Sequence, residues 1–215
     1  MNDIALQALL SQLQTISHEL PAKSALWFAD ENNLAIIPTL AAYKEKVVVV
    51  SNRFDIAQSA KERGLTTYFN DVDFAEPNMR FEHCFIRISK EKLVAHHAIN
   101  QCIDALRPQG QLHLAGYKNE GIKTYLKSAA NLFETTNKAS KIKDAHIGTF
   151  HQPVKEAERL NTNNYDALRA IGTWHEHVIY SKPGVFGFEK IDEGSQLLID
   201  ILSTLSSSPP NTKSQ

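Results

Sequence analysis

The sequence lacks the features that mark several common classes of protein. Its 215 residues include only two cysteines, Cys84 and Cys102, with no CxxC pair and no His/Cys cluster, which argues against a disulfide framework or a zinc site. We expect both cysteines to be reduced, buried thiols. No apolar run approaches the ~20 residues of a membrane-spanning helix, and the N-terminal stretch reads as an amphipathic helix rather than a signal peptide. We therefore expect a cytoplasmic protein with no membrane partner.

The sequence also lacks common catalytic motifs and the overall positive charge that would attract nucleic acid. No G-x-S-x-G, Walker loop or H-E-x-x-H motif occurs. His96 and His97 are adjacent in a predicted helix, so they point to different faces and cannot bind one metal ion as an i,i+4 pair would. The net charge of -1 provides no overall attraction for RNA. Any contact with RNA must come from a local basic patch.

Apolar runs alternate with amphipathic segments along most of the chain, which predicts a doubly wound, Rossmann-like α/β sheet. The clearest strand is "KVVVVSN" at 46–52, whose four valines indicate burial on both faces. Asp55 is expected to cap the next helix. Further strands are predicted at 24–30, 65–71, 82–89 and 111–117, and helices at 1–20, 55–64, 90–110, 121–133 and 193–205. The pattern loosens over 138–151, where a short strand is predicted at 144–151, and residues 154–171 are polar and predict a connecting segment with a partial helix.

The first strand is not followed by the glycines that a dinucleotide or S-adenosylmethionine site requires. The sequence there is "ADENNLAIIP", with two acids that would repel phosphate. The second strand ends in Ser51 and Asn52, where an acid should hold the ribose hydroxyls. We therefore predict the architecture of a nucleotide-binding sheet without its cofactor site.

A local excess of lysine is the one feature that favours RNA. The only acidic residues between 118 and 143 are Glu120 and Glu134. The same range contains six lysines, which are Lys118, Lys123, Lys127, Lys138, Lys141 and Lys143. One interpretation is a solvated helix face followed by a flexible basic loop. The other is a surface that contacts RNA phosphates.

The segment "KPGVFGFEKIDEGSQLLIDIL" near the C-terminus resembles the opening of the catalytic half of RsmC-type 16S rRNA guanine-N2 methyltransferases and their large-subunit RlmG-type relatives. The shared pattern is P-G-V-F, a spacer, and D-x-G-S/T-x-L-L, matched here by Pro183, Gly184, Val185, Phe186, Asp192, Gly194, Ser195, Leu197 and Leu198. "ALRPQGQLHLAGYKNEGIKT" resembles a second passage of that family more loosely.

The resemblance implies two tandem methyltransferase-like domains, of which the first is a degenerate copy and the second binds S-adenosylmethionine. It implies a degenerate N-terminal domain at 1–152, a connecting segment at 153–180, the start of the catalytic domain at 181–205 and a flexible tail at 206–215. The family's D-x-G-x-G-x-G and N-P-P-F/Y motifs do not occur. We therefore expect an inactive N-terminal part, with the cofactor bound in a catalytic domain that this sequence lacks.

The implied partners are rRNA or the small ribosomal subunit and the protein's own catalytic domain, with the full protein a monomer. A stand-alone interaction or scaffold domain, the N-terminal domain of a 23S rRNA methyltransferase, and a small α/β enzyme with a non-standard site remain alternatives. The last helix carries Leu197, Leu198, Ile201, Leu202 and Leu205 on one stripe. We expect it to pack on the N-terminal domain, to pair with another copy or to be poorly ordered.

Overall fold

The computed structural model describes residues 3–76, 78–136, 139–174, 176–185 and 187–206. The chain divides into two compact units, Met1–Thr162 and Asn163–Gln215. The described part of the first unit contains the helices α1 (Ile4–Ile16), α2 (Ile37–Leu40), α3 (Phe54–Glu62), α4 (Lys92–Ala105) and α5 (Ile122–Ala130). Its strands are β1 (Ala25–Phe28), β2 (Val47–Ser51), β3 (Thr66–Phe69), β4 (Phe81–Arg87), β5 (Leu106–Tyr117), β6 (Phe133–Thr136), β7 (Ser140–Ile142) and β8 (Ala145–Pro153).

These strands form one mixed sheet, in which the described residues give the order β3-β2-β1-β4-β5-β8-β6 and β7 pairs with β8. The first five strands in that order are parallel, while β8 runs antiparallel to β5, β6 and β7. The predicted doubly wound α/β class is confirmed.

Both faces of the sheet are covered. Helix α1 contributes Leu6, Leu9 and Leu13 to a core cluster with Trp27 and Phe85 on one face. On the other face Cys102 of α4 interacts with Cys84 of β4, and burial, followed by this interaction, raises the pKa of the Cys102 thiol well above its usual value. Both cysteines are free and buried, as predicted. The four valines of β2 are fully buried. Val47 and Val49 pack in one cluster with Ile56 and Ala60 of α3, while Val48 and Val50 face the other side of the sheet.

Two boundaries differ from the sequence prediction. Helix α4 ends at Ala105 rather than near Gly110, because Leu106 already belongs to β5 and pairs with Phe81 of β4. Helix α3 begins at Phe54 with Arg53 as its N-cap, so Asp55 lies in the first turn and is not the cap. The Arg53 amide donates instead to Ser51 Oγ at 3.1 Å.

The region that looked loose in the sequence is part of the sheet. Strand β8 pairs with β5 from Gln111 to Tyr117. The short strand predicted at 144–151 is confirmed and ends two residues later, at Pro153. Strand β7 joins β8 through a tight hairpin in which Lys143 has a φ of 55°. No helix forms in the described residues 154–168, so the partial helix predicted from 154 onward is wrong.

The second unit consists of an antiparallel hairpin and one helix in its described residues. Strands β9 (Arg169–Trp174) and β10 (His177–Ser181) pair with each other and are followed by α6 (Glu193–Ser206). The Asp192 carboxylate accepts the amides of Gly194 at 3.1 Å and Ser195 at 3.2 Å. Asp192 therefore caps α6. The predicted tail lies almost wholly outside the described residues. In the part of the chain that the structure describes, no helix is long and apolar enough to cross a membrane.

Candidate functional site

The carboxyl edge of the parallel strands is where a sheet of this type binds ligands, at the point where the strand order reverses. Here that point lies between β1 and β4, because the chain moves from β1 to β2 and β3 on one side and then returns to β4 on the other. Asp30 follows β1, Ser51 ends β2 and Arg87 ends β4. These side chains decide whether a cofactor can enter.

The residues after β1 are folded into the edge as a turn of 3-10 helix, Glu31–Ile36, with Asp30 as its N-cap. Asp30 is 3% exposed, and its Oδ1 accepts from the Asn33 side chain at 2.7 Å and the Asn32 amide at 3.0 Å. Asn33 Oδ1 accepts in turn from Trp27 Nε1 at 2.8 Å. Burial first, and then the neighbouring Glu31, raises the pKa of Asp30 to about 6.

This edge does not fit S-adenosylmethionine or a dinucleotide. The carboxyl group after β1 is turned into the protein and satisfied there. At the end of β2, where an acid would hold a ribose, the buried Ser51 hydroxyl donates to the Ala29 carbonyl at 2.6 Å. Neither residue has a free group to offer a nucleoside.

A buried ion-pair network occupies the end of β4. The Arg87 guanidinium donates to Asp3 Oδ2 at 3.0 and 3.1 Å and to Glu120 Oε2 at 2.6 Å. It also lies 5.1 Å from the centre of the Tyr117 ring. Burial alone would lower the pKa of Arg87, but the two carboxylates outweigh it and raise that pKa. The network ties α1, β4 and the end of β5 together.

The structure places the predicted RNA-contacting lysines on the elements that surround the start of β8. Lys118 lies in the 3-10 turn after β5, Lys123 and Lys127 in α5, and Lys141 in β7. All four are exposed, and Lys143 is exposed at the β7–β8 turn. Lys138 lies outside the described residues.

Three of these lysines act electrostatically on a histidine that the sequence analysis did not single out, and one of them, Lys141, lies directly opposite it. Lys141 is directly opposite His146 in the β7–β8 pairing, so the two side chains lie on the same face of the sheet. Burial, followed by the positive charges of Lys123, Lys141 and Lys118, lowers the pKa of His146. His146 Nδ1 is buried without a hydrogen-bond partner. We call Lys118, Lys123, Lys141 and His146 the basic cluster.

A pocket of about 430 Å³ adjoins the basic cluster and is lined by Tyr117, Lys118, Asn119 and Asp144. The turn that carries Lys118 and Asn119 is held in place because the Tyr117 amide donates to Glu120 Oε2 at 2.8 Å. That same oxygen accepts from Arg87. The ion-pair network thus fixes one wall of the pocket.

A second polar cluster is buried in the sheet. His83 Nδ1 lies 2.9 Å from His113 Nε2, whose other ring nitrogen lies 3.1 Å from Thr149 Oγ1. Burial first, and then His151, lowers the pKa of His83 to about 4. Among the described residues no group of three His, Cys, Asp or Glu side chains is arranged to hold a metal ion. The pair is a neutral, hydrogen-bonded part of the core.

The residues predicted at the domain junction lie in the second unit. Pro183 is buried, Gly184 has a φ of 92° and Val185 is exposed, while Phe186 lies outside the described residues. Val185, Asp192 and Ser195 line a pocket of about 200 Å³ together with Ile191 and other residues of this unit. Gly194 lies in the first turn of α6.

Sequence reasoning missed two groups here. Arg87, Asp3 and Glu120 are far apart in the sequence, and no short-range pattern connects them. His146 could have been found from the hairpin, because "SKIKDAHI" places Lys141 opposite His146 once a two-residue turn is assumed at 143–144.

Comparisons with known proteins agree with this architecture. The chain is 32% identical over 129 residues to the ribosomal RNA small subunit methyltransferase C of Shewanella pealeana, a match that covers 59% of this chain and 37% of the relative. The enzyme of the same name from Shewanella piezotolerans is 28% identical over 123 residues, covering 57% and 36%. The matched part of the chain therefore spans little more than a third of these curated relatives.

Solved structures show the same fold. A T. thermophilus 16S rRNA methyltransferase, RsmC, solved with AdoMet and guanosine, matches with a TM-score of 0.64 at 15% identity, covering 90% of this chain and 52% of that one. The N-methyltransferase NodS of Bradyrhizobium japonicum, solved with S-adenosyl-L-homocysteine, matches with a TM-score of 0.53 at 14% identity, covering 71% and 90%. The resemblance to RsmC-type methyltransferases is confirmed. Since residues 10–165 match the family described as "Methyltransferase small domain N-terminal", the chain belongs to that family.

Proposed function

We propose that this chain is the N-terminal, RNA-contacting part of an rRNA guanine-N2 methyltransferase that acts on 16S rRNA. Its first unit binds rRNA of the small ribosomal subunit through the basic cluster, with Lys127, Lys138 and Lys143 at its margin, and supports the catalytic half. The methyl transfer belongs to that catalytic half, which uses S-adenosylmethionine and is absent from this sequence. The full protein is a cytoplasmic monomer.

The observation that carries the RNA-binding part is that the exposed Lys118, Lys123 and Lys141 lie on elements around the start of β8, with Lys141 paired opposite His146. The chain as a whole has a net charge of -1, so three cations that act on one histidine are a strong local departure from it. Exposed lysines around one point attract phosphate and release counterions when they bind it. A merely solvated helix face would not bring lysines from a turn, a helix and a strand together.

The closed carboxyl edge supports the assignment of cofactor chemistry to another domain. Asp30 and Ser51 are buried and satisfied, and Arg87 is held between two carboxylates. We expect no binding of S-adenosylmethionine to this chain in isothermal titration. Binding with a defined stoichiometry would refute this part of the proposal.

The second unit supports a continuation into a catalytic half. In α6 the side chains of Leu197, Leu198, Ile201 and Leu202 are 44–61% exposed, and Leu205 has no described side chain. Covering one such side chain stabilises by about 1.5–3 kcal/mol. We propose that the catalytic half covers this face and that residues 183–195 form the junction to it, with 1–152 as the degenerate domain and 153–180 as the connecting segment.

Charge reversal tests the RNA-binding part. We expect Lys118→Glu, Lys123→Glu and Lys141→Glu combined to weaken binding to 16S rRNA fragments and to lower the slope of log K against log salt by about 2, because each phosphate contact on a single strand contributes about 0.7. Lys61→Glu is the matched control, since Lys61 is exposed on α3 at the opposite edge of the sheet. Equal binding of the triple variant and the control would remove the basic cluster from the proposal.

A transfer assay tests the assignment of chemistry. The chain is incubated with small subunits that lack the methyl group and with labelled S-adenosylmethionine. We expect no incorporation above background. Turnover by this chain alone would show that it contains a catalytic site and that the proposal is wrong.

A further inference from the structure

The pocket beside the basic cluster contains a carboxylate that phosphate binding does not explain. Asp144 is exposed in the β7–β8 turn and lines the pocket together with Lys118 of the basic cluster. A carboxylate among lysines repels phosphate and would weaken a surface whose work is only electrostatic. The same group is a strong acceptor for the N–H donors of a nucleobase.

The other walls of the pocket suit a base and its sugar. Tyr117 supplies an aromatic wall, Asn119 supplies an amide that both donates and accepts, and Lys118 supplies a cation at the rim. A volume of about 430 Å³ is within the range of small-molecule sites. Unpaired RNA bases are recognised in this way, through stacking on aromatic rings and hydrogen bonds to their Watson–Crick edges.

Two of the walls, Tyr117 and the turn that follows it, are fixed before any ligand arrives. The Tyr117 hydroxyl accepts from the Ile4 amide at 2.7 Å, and the Arg87 guanidinium lies against its ring. Glu120 holds the turn that carries Lys118 and Asn119. A site that is already ordered loses little conformational entropy on binding.

The chemistry of Asp144 selects among the bases. A carboxylate offers two acceptor oxygens and no donor. Guanine presents two adjacent N–H donors on its Watson–Crick edge, at N1 and at the N2 amino group. Adenine and cytosine place a ring-nitrogen acceptor beside their amino group, and uracil flanks its single N–H with carbonyls. Guanine alone matches both oxygens.

We propose that the pocket formed by Tyr117, Lys118, Asn119 and Asp144 binds one unpaired guanine base of an RNA strand whose phosphates lie on the basic cluster. This inference rests on the proposed RNA-binding function, which supplies the strand. It is a site distinct from any that holds the base to be methylated, because the chain's own edge does not take the methyl donor.

The test measures anisotropy of short dye-labelled oligouridines that carry one central guanine, inosine, adenine or cytosine, with the full chain as binder. We expect the guanine strand to bind about fivefold to tenfold more tightly than the adenine and cytosine strands, since a bidentate contact discriminates by at least that factor. Inosine lacks the N2 amino group and should lose most of the preference.

Asp144→Asn should abolish the guanine preference while leaving the affinity for plain oligouridine equal or higher, because a negative charge has been removed. Glu62→Gln, at the far edge of the sheet on α3, is the control and should retain the preference. Equal binding of all four strands by the wild-type chain, with lysine-dependent and salt-dependent affinity intact, overturns the guanine pocket but keeps the RNA-binding function. If the affinity for RNA depends neither on the lysines nor on the salt concentration, both the guanine pocket and the RNA-binding function are overturned.

Discussion

The Arg87 network makes a quantitative prediction about the stability of the first unit. We consider Arg87→Met, which keeps much of the side chain's length and removes its charge. Arg87 and its partners Asp3 and Glu120 have side chains that are 2%, 21% and 11% exposed. The substitution leaves the carboxylates of Asp3 and Glu120 without their cationic partner, at a position where water has little access.

Removing one partner of a buried ion pair costs about 3–5 kcal/mol, because the remaining charge is left uncompensated. With a urea m-value of about 2 kcal/mol/M, the unfolding midpoint should fall by about 1.5–2.5 M. Arg53→Met is the matched control, since Arg53 and Asp55 also form an ion pair but are 50% and 56% exposed. An exposed pair is worth about 0–1 kcal/mol.

Tryptophan fluorescence reports on the first unit if Trp174 is replaced by phenylalanine, because Trp27 is then the remaining tryptophan and is fully buried. If Arg87→Met yields no folded protein, Asp3→Asn gives a milder version, with an expected loss of about 1–3 kcal/mol for a charged hydrogen bond. The triple variant Asp3→Asn, Arg87→Met and Glu120→Gln should recover much of the stability, since no unpaired charge remains. A midpoint for Arg87→Met within experimental error of Arg53→Met would refute the reasoning.

Three further predictions concern titrating groups. Burial and the neighbouring lysines lower the pKa of His146, and a bound phosphate should raise it again, so RNA should bind more tightly as the pH falls. His146→Gln should remove that pH dependence in anisotropy titrations. The pKa of His83 lies at about 4 rather than 6.5, so the neutral His83 contributes fully to the free energy of unfolding above pH 6.5, and about 3 kcal/mol is lost as the pH falls through 4. In urea unfolding at several pH values, His83→Gln should lower the slope of the free energy of unfolding against pH over that interval by up to one proton. The pKa of Asp30 is raised from 3.8 to about 6, so the first unit loses stability as the pH rises through this interval. The stability of Asp30→Asn relative to the wild type should therefore be about 3 kcal/mol higher at pH 8 than at pH 4. An equal effect of the substitution at both pH values would contradict burial as the cause.

Much of the fold could be predicted because buried parallel strands have a direct sequence signature. The four valines of β2 and the helices between strands show the α/β alternation without any tertiary information. Boundaries were less certain, since Leu106 is equally apolar in a helix or a strand and only its pairing with Phe81 decides between them. Strand β8 was predicted to within two residues, but its pairing with β5, β6 and β7 depends on tertiary contacts that the sequence does not show.

The candidate site could be predicted only in part. The lysine run drew attention to residues 118–143, but sequence spacing cannot show that the charges of Lys118, Lys123 and Lys141 act on one histidine. That depends on the β7–β8 turn and on where α5 crosses the sheet. The closed carboxyl edge was inferred from missing glycines, whereas the residues that close it were not, because Arg87 finds its partners 84 and 33 positions away.

The buried guanidinium at the end of β4 also changes how the stability of this unit responds to its surroundings. A domain whose ligand site stays open is stabilised by mass action, and its melting temperature then follows the concentration of a metabolite. In this unit the cation at that edge is the side chain of Arg87, so its presence there does not depend on the concentration of any ligand. The folding of this unit should therefore not depend on the concentration of a ligand at that edge.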